Sequence, residues 1–160
     1  MARYEETLEE FIERAGGSPV FVSACLAGLK TRYNADARPS AELISMAASA
    51  RLIPVCPEQL GGLPTPRVKA SLVGGDGDAV LSSGAKVINE SGRDVTENFL
   101  RGARAVLSLA KPFGVKFAIM KENSPSCGVK KTYVDSKLSD GSGVTAAALR
   151  ILGVDIFVID

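Results

Sequence analysis

The sequence has no histidine and no tryptophan among its 160 residues. Histidine supplies the base in Ser-His-Asp and Cys-His enzymes, and it is the commonest metal ligand in proteins. Its absence excludes both of these hydrolytic arrangements and every histidine metal site. Any catalysis must therefore use carboxylates, thiols, lysine, tyrosine, hydroxyls or a bound group.

Aromatic residues and net charge are also scarce: 6% of the residues are aromatic and the formal net charge is +1. Proteins that bind RNA broadly usually present a basic surface and several aromatic rings for the bases. The sequence offers neither, so we expect no stable complex with nucleic acid and no electrostatic attraction to an anionic membrane.

Long hydrophobic runs are absent too, since none approaches the roughly 18 residues of a membrane span. The N-terminal stretch MARYEETLEEFIERAGG is charged and amphipathic, and it lacks the apolar core and cleavage site of a signal peptide. An odd number of cysteines cannot all form disulfides within one chain, whereas most secreted proteins pair their cysteines. We therefore expect a cytoplasmic protein, either a monomer or a homodimer.

Strand-like and helix-like segments alternate along the chain. Apolar runs predict strands at residues 19–25, 51–59, 115–121 and 154–160. Periodicity and capping residues predict helices at about residues 3–15, 41–50, from 94 or 96 to 110, and 144–152. The alternation, in a chain whose length suggests one domain (1–160), indicates an α/β fold: a mainly parallel, Rossmann-like sheet with helices on both faces.

Two segments lie outside this alternation. Residues 68–95 combine Gly-Asp turn signals with short β-branched runs, which predicts a hairpin excursion. The GGDGD at 74–78 lacks the Gly-Lys-Ser/Thr of a phosphate-binding loop, so we interpret it as a turn. The stretch from the end of the third strand to Gly143 is polar and predicts no regular element.

The three cysteines share one position in the predicted fold. Cys25, Cys56 and Cys127 each lie at or just past the carboxyl end of a predicted strand. In an open parallel sheet these ends face one crevice, where ligands bind. A lone cysteine at such a place is usually a small buried hydrophobic residue. Three at the same edge favour a joint site.

The nature of that site is left open by the residues alone. Structural zinc usually takes four ligands, commonly with close Cys-x-x-Cys spacing, and this pattern is missing. A catalytic zinc with three protein ligands remains possible. Three thiolates without histidine fit a soft centre such as an iron–sulfur cluster better, and three ligands for four irons would leave one iron open.

Five motifs follow one another from about Val20 to the C-terminus: VSACLAG, PVCPEQLGGLPTPR, GRDVTENFLRGA, KENSPSCG and GVTAAALR. Together they resemble the DUF523 family, whose members have been identified as thiouracil desulfidases. The resemblance implies a 4Fe–4S cluster held by Cys25, Cys56 and Cys127. It also implies a small thiolated nucleobase as substrate, with uracil and sulfide as products and no net redox change.

The neighbouring residues suggest roles in this chemistry. Glu58, two residues beyond Cys56, is the best-placed carboxylate to activate water, although it could be an ordinary solvated residue. Ser124 and Ser126 could bond the heterocycle, relay a proton or bond the cluster sulfurs, or simply make a turn. Arg67 could support a loop carboxylate. We also expect Gly61, Gly62 and Gly128 to let the backbone approach the cluster.

One position departs from the family pattern. Many members have an aspartate where this chain has Ser142, before the last helix. A serine can still cap that helix, but any proton-transfer role of the aspartate is in doubt here. Two other functions stay open: a metal-free protein that carries sulfur as a cysteine persulfide, and a non-catalytic module that binds a nucleobase or RNA.

Overall fold

The computed structural model describes residues 5–160. Its central sheet consists of four strands, β1 (Pro19–Ser23), β2 (Arg51–Val55), β5 (Phe117–Lys121) and β8 (Asp155–Ile159). All are parallel, in the order β2-β1-β5-β8. The middle strands β1 and β5 are almost continuously apolar because helices cover both of their faces. The four predicted strands therefore exist, with shorter ends than the sequence suggested.

Helices pack on both faces of this sheet, which confirms the predicted α/β class. They are α1 (Leu8–Ala15) and α2 (Ala41–Met46) on one face, and α5 (Thr96–Phe113) and α6 (Val144–Leu152) on the other. Side chains alternate along β1, so that Val20 and Val22 contact the first pair of helices and Phe21 contacts the second. Within residues 5–160 no helix combines the length and apolar character needed to cross a membrane.

Capping side chains mark the starts of α1 and α2. Thr7 and Glu10 form a capping box at the start of α1, with Glu10 N–H donating to Thr7 Oγ1 at 3.2 Å. Residues 5–7, which the sequence predicted to be helical, therefore precede the helix. Residues 3 and 4 of the predicted helix lie outside the described part of the chain. Ser40 Oγ accepts the N–H of Leu43 and caps α2, as expected. α2 ends at Met46 and continues as a short 3-10 helix, Ala47–Ser49.

A second, mixed sheet lies beside the first. Its strands are β3 (Ala70–Val73), β4 (Lys86–Asn89), β6 (Lys131–Val134) and β7 (Lys137–Asp140), in the order β4-β3-β6-β7. The predicted excursion exists as the antiparallel pair β3 and β4, but a short helix α4 (Gly77–Leu81) connects them. Asp76 of the GGDGD sequence caps α4, so the sequence forms a helix start instead of the expected turn.

The hairpin of β6 and β7 contradicts the prediction of an irregular polar stretch. Its turn residues Asp135 and Ser136 have φ values of +49° and +63°, the left-handed conformation of a tight hairpin turn. β7 is mostly exposed. A search for apolar runs misses such a strand because its pairing comes from the backbone and its side chains face water.

Close backbone contact joins the remaining short helix, α3 (Pro57–Leu60), to α5. A side chain on Gly61 would overlap the backbone of Asn98, and one on Gly102 would overlap the backbone of Pro57. Asn98 Nδ2 also donates to the Gly61 carbonyl at 2.9 Å. Gly61 therefore serves helix packing, which corrects the expectation that it lets the backbone approach a cluster.

Candidate active site

The structure brings the three cysteines to one cavity of about 270 Å³ at the carboxyl edge of the central sheet. Cys25 lies in a 3-10 helix, Ala24–Ala27, that follows β1. Cys56 follows β2 and precedes α3, whose first residue is Pro57. Cys127 lies in the loop after β5. All three are free thiols, so they have no covalent partner that competes with a ligand.

The thiols differ in burial. Cys127 is 6% exposed, whereas Cys25 and Cys56 are half-buried. Burial raises the pKa of the Cys127 thiol to about 12. Burial also raises the pKa of Cys25, with the Cys56 sulfur as a second cause, while Lys121 and Arg32 act in the opposite direction. These two sulfurs are therefore protonated at neutral pH unless a positive centre binds them.

The donor set fits a large soft group. Within residues 5–160 no three side chains of histidine, cysteine, aspartate or glutamate are grouped closely enough to hold a single metal ion. The three cysteines instead line one cavity, each in the segment that follows a different strand. An iron–sulfur cluster is larger than one ion and is held by cysteine sulfur. The arrangement therefore fits a cluster better than the zinc alternative.

The loop that carries Cys127 is held by its own serine and by α6. Ser124 Oγ accepts the N–H groups of Ser126 (3.3 Å) and Cys127 (3.1 Å). The first N–H groups of α6 donate to two carbonyls of this loop: Val144 to Pro125 at 2.9 Å, and Thr145 and Ala146 to Ser126 at 2.9 and 3.0 Å. The start of α6, where N–H groups lack helical partners, thus fixes the loop.

Gly143, and not Ser142, is the N-cap of α6 and makes no side-chain cap, which corrects the sequence prediction. Ser142 instead directs its hydroxyl to Asp78 Oδ2 at 3.3 Å, and Asp78 in turn binds Arg150 at 2.6 Å. Ser142 is not among the residues that line the cavity. The position of the family aspartate therefore serves contact with α4 in this chain.

Glu58 and the two predicted serines also line the cavity. Ser126 is 1% exposed, and its Oγ lies 3.4 Å from Glu58 Oε2, 3.2 Å from Ser124 Oγ and 3.6 Å from Cys127 Sγ. Because a hydroxyl has one proton, Ser126 can donate to Glu58 while it accepts from Ser124. The three side chains form a chain of polar contacts beside the Cys127 sulfur.

Arg67 is the ionic partner of the Glu58 carboxylate. Its side chain is 4% exposed, and it donates to the Thr31 carbonyl at 2.8 Å and to Thr65 Oγ1 at 2.9 Å. Its Nε and Nη2 each lie 3.4 Å from a Glu58 oxygen. Hydrogen bonds to Thr31 and Thr65 therefore hold the guanidinium in a fixed position, where its positive charge faces the Glu58 carboxylate.

Sequence reasoning missed several charged and aromatic residues of the cavity. Lys121 and Glu122 follow directly on the buried run of β5, and Lys69 lies 4.4 Å from the ring centre of Tyr133. The sequence does contain a signal for Lys121 and Glu122, because two charged residues directly follow an apolar strand and precede the cysteine loop. Tyr33 lines the same cavity and is 36% exposed.

Comparisons with known proteins agree on one relationship. The model of the 2-thiouracil desulfurase family matches residues 20–160. A Bacillus subtilis protein, YbbK, described as uncharacterized, is 42% identical over 137 residues, which are 84% of this chain and 91% of that protein. The solved structure of TudS, a 4Fe–4S-dependent thiouracil desulfidase, matches with a TM-score of 0.75 and 38% identity, covering 88% of this chain and 90% of TudS. This chain belongs to the 2-thiouracil desulfurase family.

Proposed function

We propose that this chain is a 4Fe–4S-dependent thiouracil desulfidase. It would remove sulfur from a thiolated pyrimidine nucleobase, such as 2- or 4-thiouracil, and release uracil and sulfide. The observation that carries the proposal is the convergence of three free cysteines on one cavity in a member of this family. The net reaction replaces the sulfur with the oxygen of one water molecule, so it is a hydrolysis and needs no electron donor.

Cys25, Cys56 and Cys127 are the ligands that we assign to the cluster. Such a cluster supplies one iron without a protein ligand, a Lewis acid suited to the soft sulfur of a C=S group. A positive metal centre also stabilises the thiolates that burial disfavours in the free protein. The raised pKa values of Cys25 and Cys127 are thus compatible with ligation.

Glu58 is the residue that we assign to acid–base chemistry. Its carboxylate lies at the same cavity and can take a proton from the water that attacks the thiocarbonyl carbon. Arg67 keeps it in place. Ser126 Oγ lies between Glu58 Oε2 and Cys127 Sγ, so its hydroxyl, with that of Ser124, can pass this proton to the sulfur side of the cavity.

The persulfide alternative requires a cysteine that is reactive without a metal. Persulfide-carrying and other nucleophilic cysteines have depressed pKa values. Burial moves the pKa of both Cys25 and Cys127 upward. This direction disfavours a metal-free sulfur carrier at those two positions.

We propose a cytoplasmic location, which the same chemistry supports. Free thiols persist in reducing compartments, and secreted proteins usually pair theirs. All three cysteines are free. We therefore place the protein in the cytoplasm, acting on a small molecule.

The test is an anaerobic assay of sulfide release from 2- and 4-thiouracil by protein reconstituted with iron and sulfide. We expect turnover by the wild-type chain and a loss of at least about 100-fold in kcat for Glu58→Gln, the usual contribution of a general base. The variant should keep the cluster absorption, because Glu58 is not an assigned ligand. Glu42→Gln, at an exposed position on α2, is the matched control. Reconstituted protein that releases no sulfide would contradict the proposal.

A further inference from the structure

Glu122 is a buried carboxylate, 8% exposed, that the proposed chemistry does not use. It lies directly after β5, where the loop to Cys127 begins. Its Oε1 accepts the backbone N–H groups of Val129 at 2.8 Å, Lys130 at 3.2 Å and Lys131 at 3.1 Å, and Oε2 lies 3.3 Å from Lys130 N. Hydrogen bonds to an ionised carboxylate are about twice as strong as neutral ones.

These contacts join the two ends of the cysteine loop. Glu122 lies before Cys127, and the three N–H groups come directly after Gly128, so the carboxylate holds residues 123–128 as a closed loop. Two further bonds close it from inside: Gly128 N–H and Thr132 Oγ1 both donate to the Ser124 carbonyl at 3.0 Å. A side chain on Gly128 would collide with the backbone of this closure.

Among the contacts of residues 5–160, no buried carboxylate accepts backbone N–H groups around Cys25 or Cys56; the buried Arg67 nearby donates instead to the Thr31 carbonyl and faces Glu58. Cys25 and Cys56 are half-buried, and Cys56 makes one weak side-chain contact, 3.7 Å to the Thr31 carbonyl. Cys127 is the most buried of the three. The site is therefore built unevenly, with one sulfur in a tied loop and two on more open segments.

We propose that Glu122 is a positioning residue that holds Cys127 at the cavity through these amide hydrogen bonds, so that one cluster ligand is in place before the cluster binds. That Cys127 acts as a ligand rests on the proposed function. That Glu122 ties its loop rests on the contacts alone.

The first test asks whether Glu122 holds the loop of residues 123–128 in the iron-free protein. Each cysteine is alkylated with iodoacetamide, and mass spectrometry follows the rate at each position. In the wild-type chain Cys127 reacts most slowly. In Glu122→Gln the neutral oxygen is a weaker acceptor and the new NH₂ group faces N–H donors. We expect Cys127 to react about tenfold faster, and faster still in Glu122→Ala, because local opening exposes it. The rates of Cys25 and Cys56 stay within about twofold, and Glu42→Gln is the control.

The link to the cluster is tested by a second readout, the rate at which reconstituted protein loses iron to a ferrous chelator. This rate rises in both Glu122 variants and not in Glu42→Gln. If the Glu122 variants accelerate the alkylation of all three cysteines equally, or of none, Glu122 does not hold the cysteine loop. If only Cys127 reacts faster and iron loss is unchanged, Glu122 holds the loop but does not position a cluster ligand. If the wild-type chain takes up no cluster, the proposed function is wrong and the ligand role fails with it, while the alkylation pattern still decides whether Glu122 ties the loop.

Discussion

Cys56 occupies the N-cap position of α3, and its side chain makes no capping hydrogen bond there. Serine is among the best residues at this position, since its oxygen can accept a helix N–H. Cys56→Ser should therefore keep the fold, or stabilise it by up to about 1 kcal/mol, and still abolish the cluster. Urea unfolding of iron-free protein and the absorption near 400 nm after reconstitution measure the two effects separately. A variant that binds iron like the wild-type chain would show that Cys56 is not a ligand.

Ser142 stands at the position where many members of the family have an aspartate. It is 5% exposed, its Oγ lies 3.3 Å from Asp78 Oδ2, and its N–H lies 3.5 Å from Asp76 Oδ2. Ser142→Asp would place a third carboxylate beside these two. We expect it to lower the free energy of unfolding by about 2 kcal/mol at pH 7, and the neutral Ser142→Asn to lower it less.

The pH dependence of this variant checks the cause. The two neighbouring carboxylates raise the pKa of the introduced carboxyl in the folded state above its unfolded value. The penalty is therefore complete at neutral pH and shrinks as the pH falls and that group is protonated. A penalty that stays constant from pH 7 to pH 4, relative to wild type at the same pH, would point to a steric cause instead.

At the scale of single residues, the sequence suggests the residues that carry chemistry and the support of a carboxylate by Arg67, but it does not suggest Glu122. The strand ends place Cys25, Cys56 and Cys127 at one edge, and Glu58 lies close to Cys56 in the chain. Arg67 and Glu122 depend on contacts with loops distant in sequence or with backbone N–H groups. No local pattern encodes such partners, so their specific roles required the structure.

The start of α6 and the cysteine loop act as one structural element. Gly143 has φ −71° and ψ 168°, which any residue can adopt, but an added Cβ would lie 2.6 Å from the carbonyl carbon of Ser126. Gly143→Ala should therefore push the loop away from α6 and destabilise the iron-free protein by about 1–3 kcal/mol. Gly84→Ala is the matched control, because its new Cβ meets no atom closer than 3.5 Å. Equal unfolding midpoints for the two variants would contradict the proposed contact.

Among secondary-structure elements, those with strong patterns were predicted and those defined by pairing were not. α6 has the predicted bounds, and the central strands follow their apolar runs. Strand 51–59 ends early because Pro57 begins α3, where Pro is favoured in the first turn. The β6–β7 hairpin has few buried side chains and depends on a tight turn. Periodicity reports burial, so it could not reveal this hairpin.

At the scale of the whole molecule, the parallel sheet makes the site. Three parallel strands, β2, β1 and β5, are neighbours in the sheet, and each is followed by one of the cysteines. Their carboxyl ends meet at one edge, so residues distant in sequence share a cavity without any close spacing in the chain. This is why the motif lacks a Cys-x-x-Cys pair and why the fold class, once predicted, was enough to expect convergence.

The most direct measurement of the central claim is the count of iron and inorganic sulfide in anaerobically reconstituted wild-type protein, with its absorption spectrum. The account predicts about four irons and four sulfides per chain, and a brown protein with broad absorption near 400 nm. A colourless protein, or one that binds a single iron without inorganic sulfide, would contradict it.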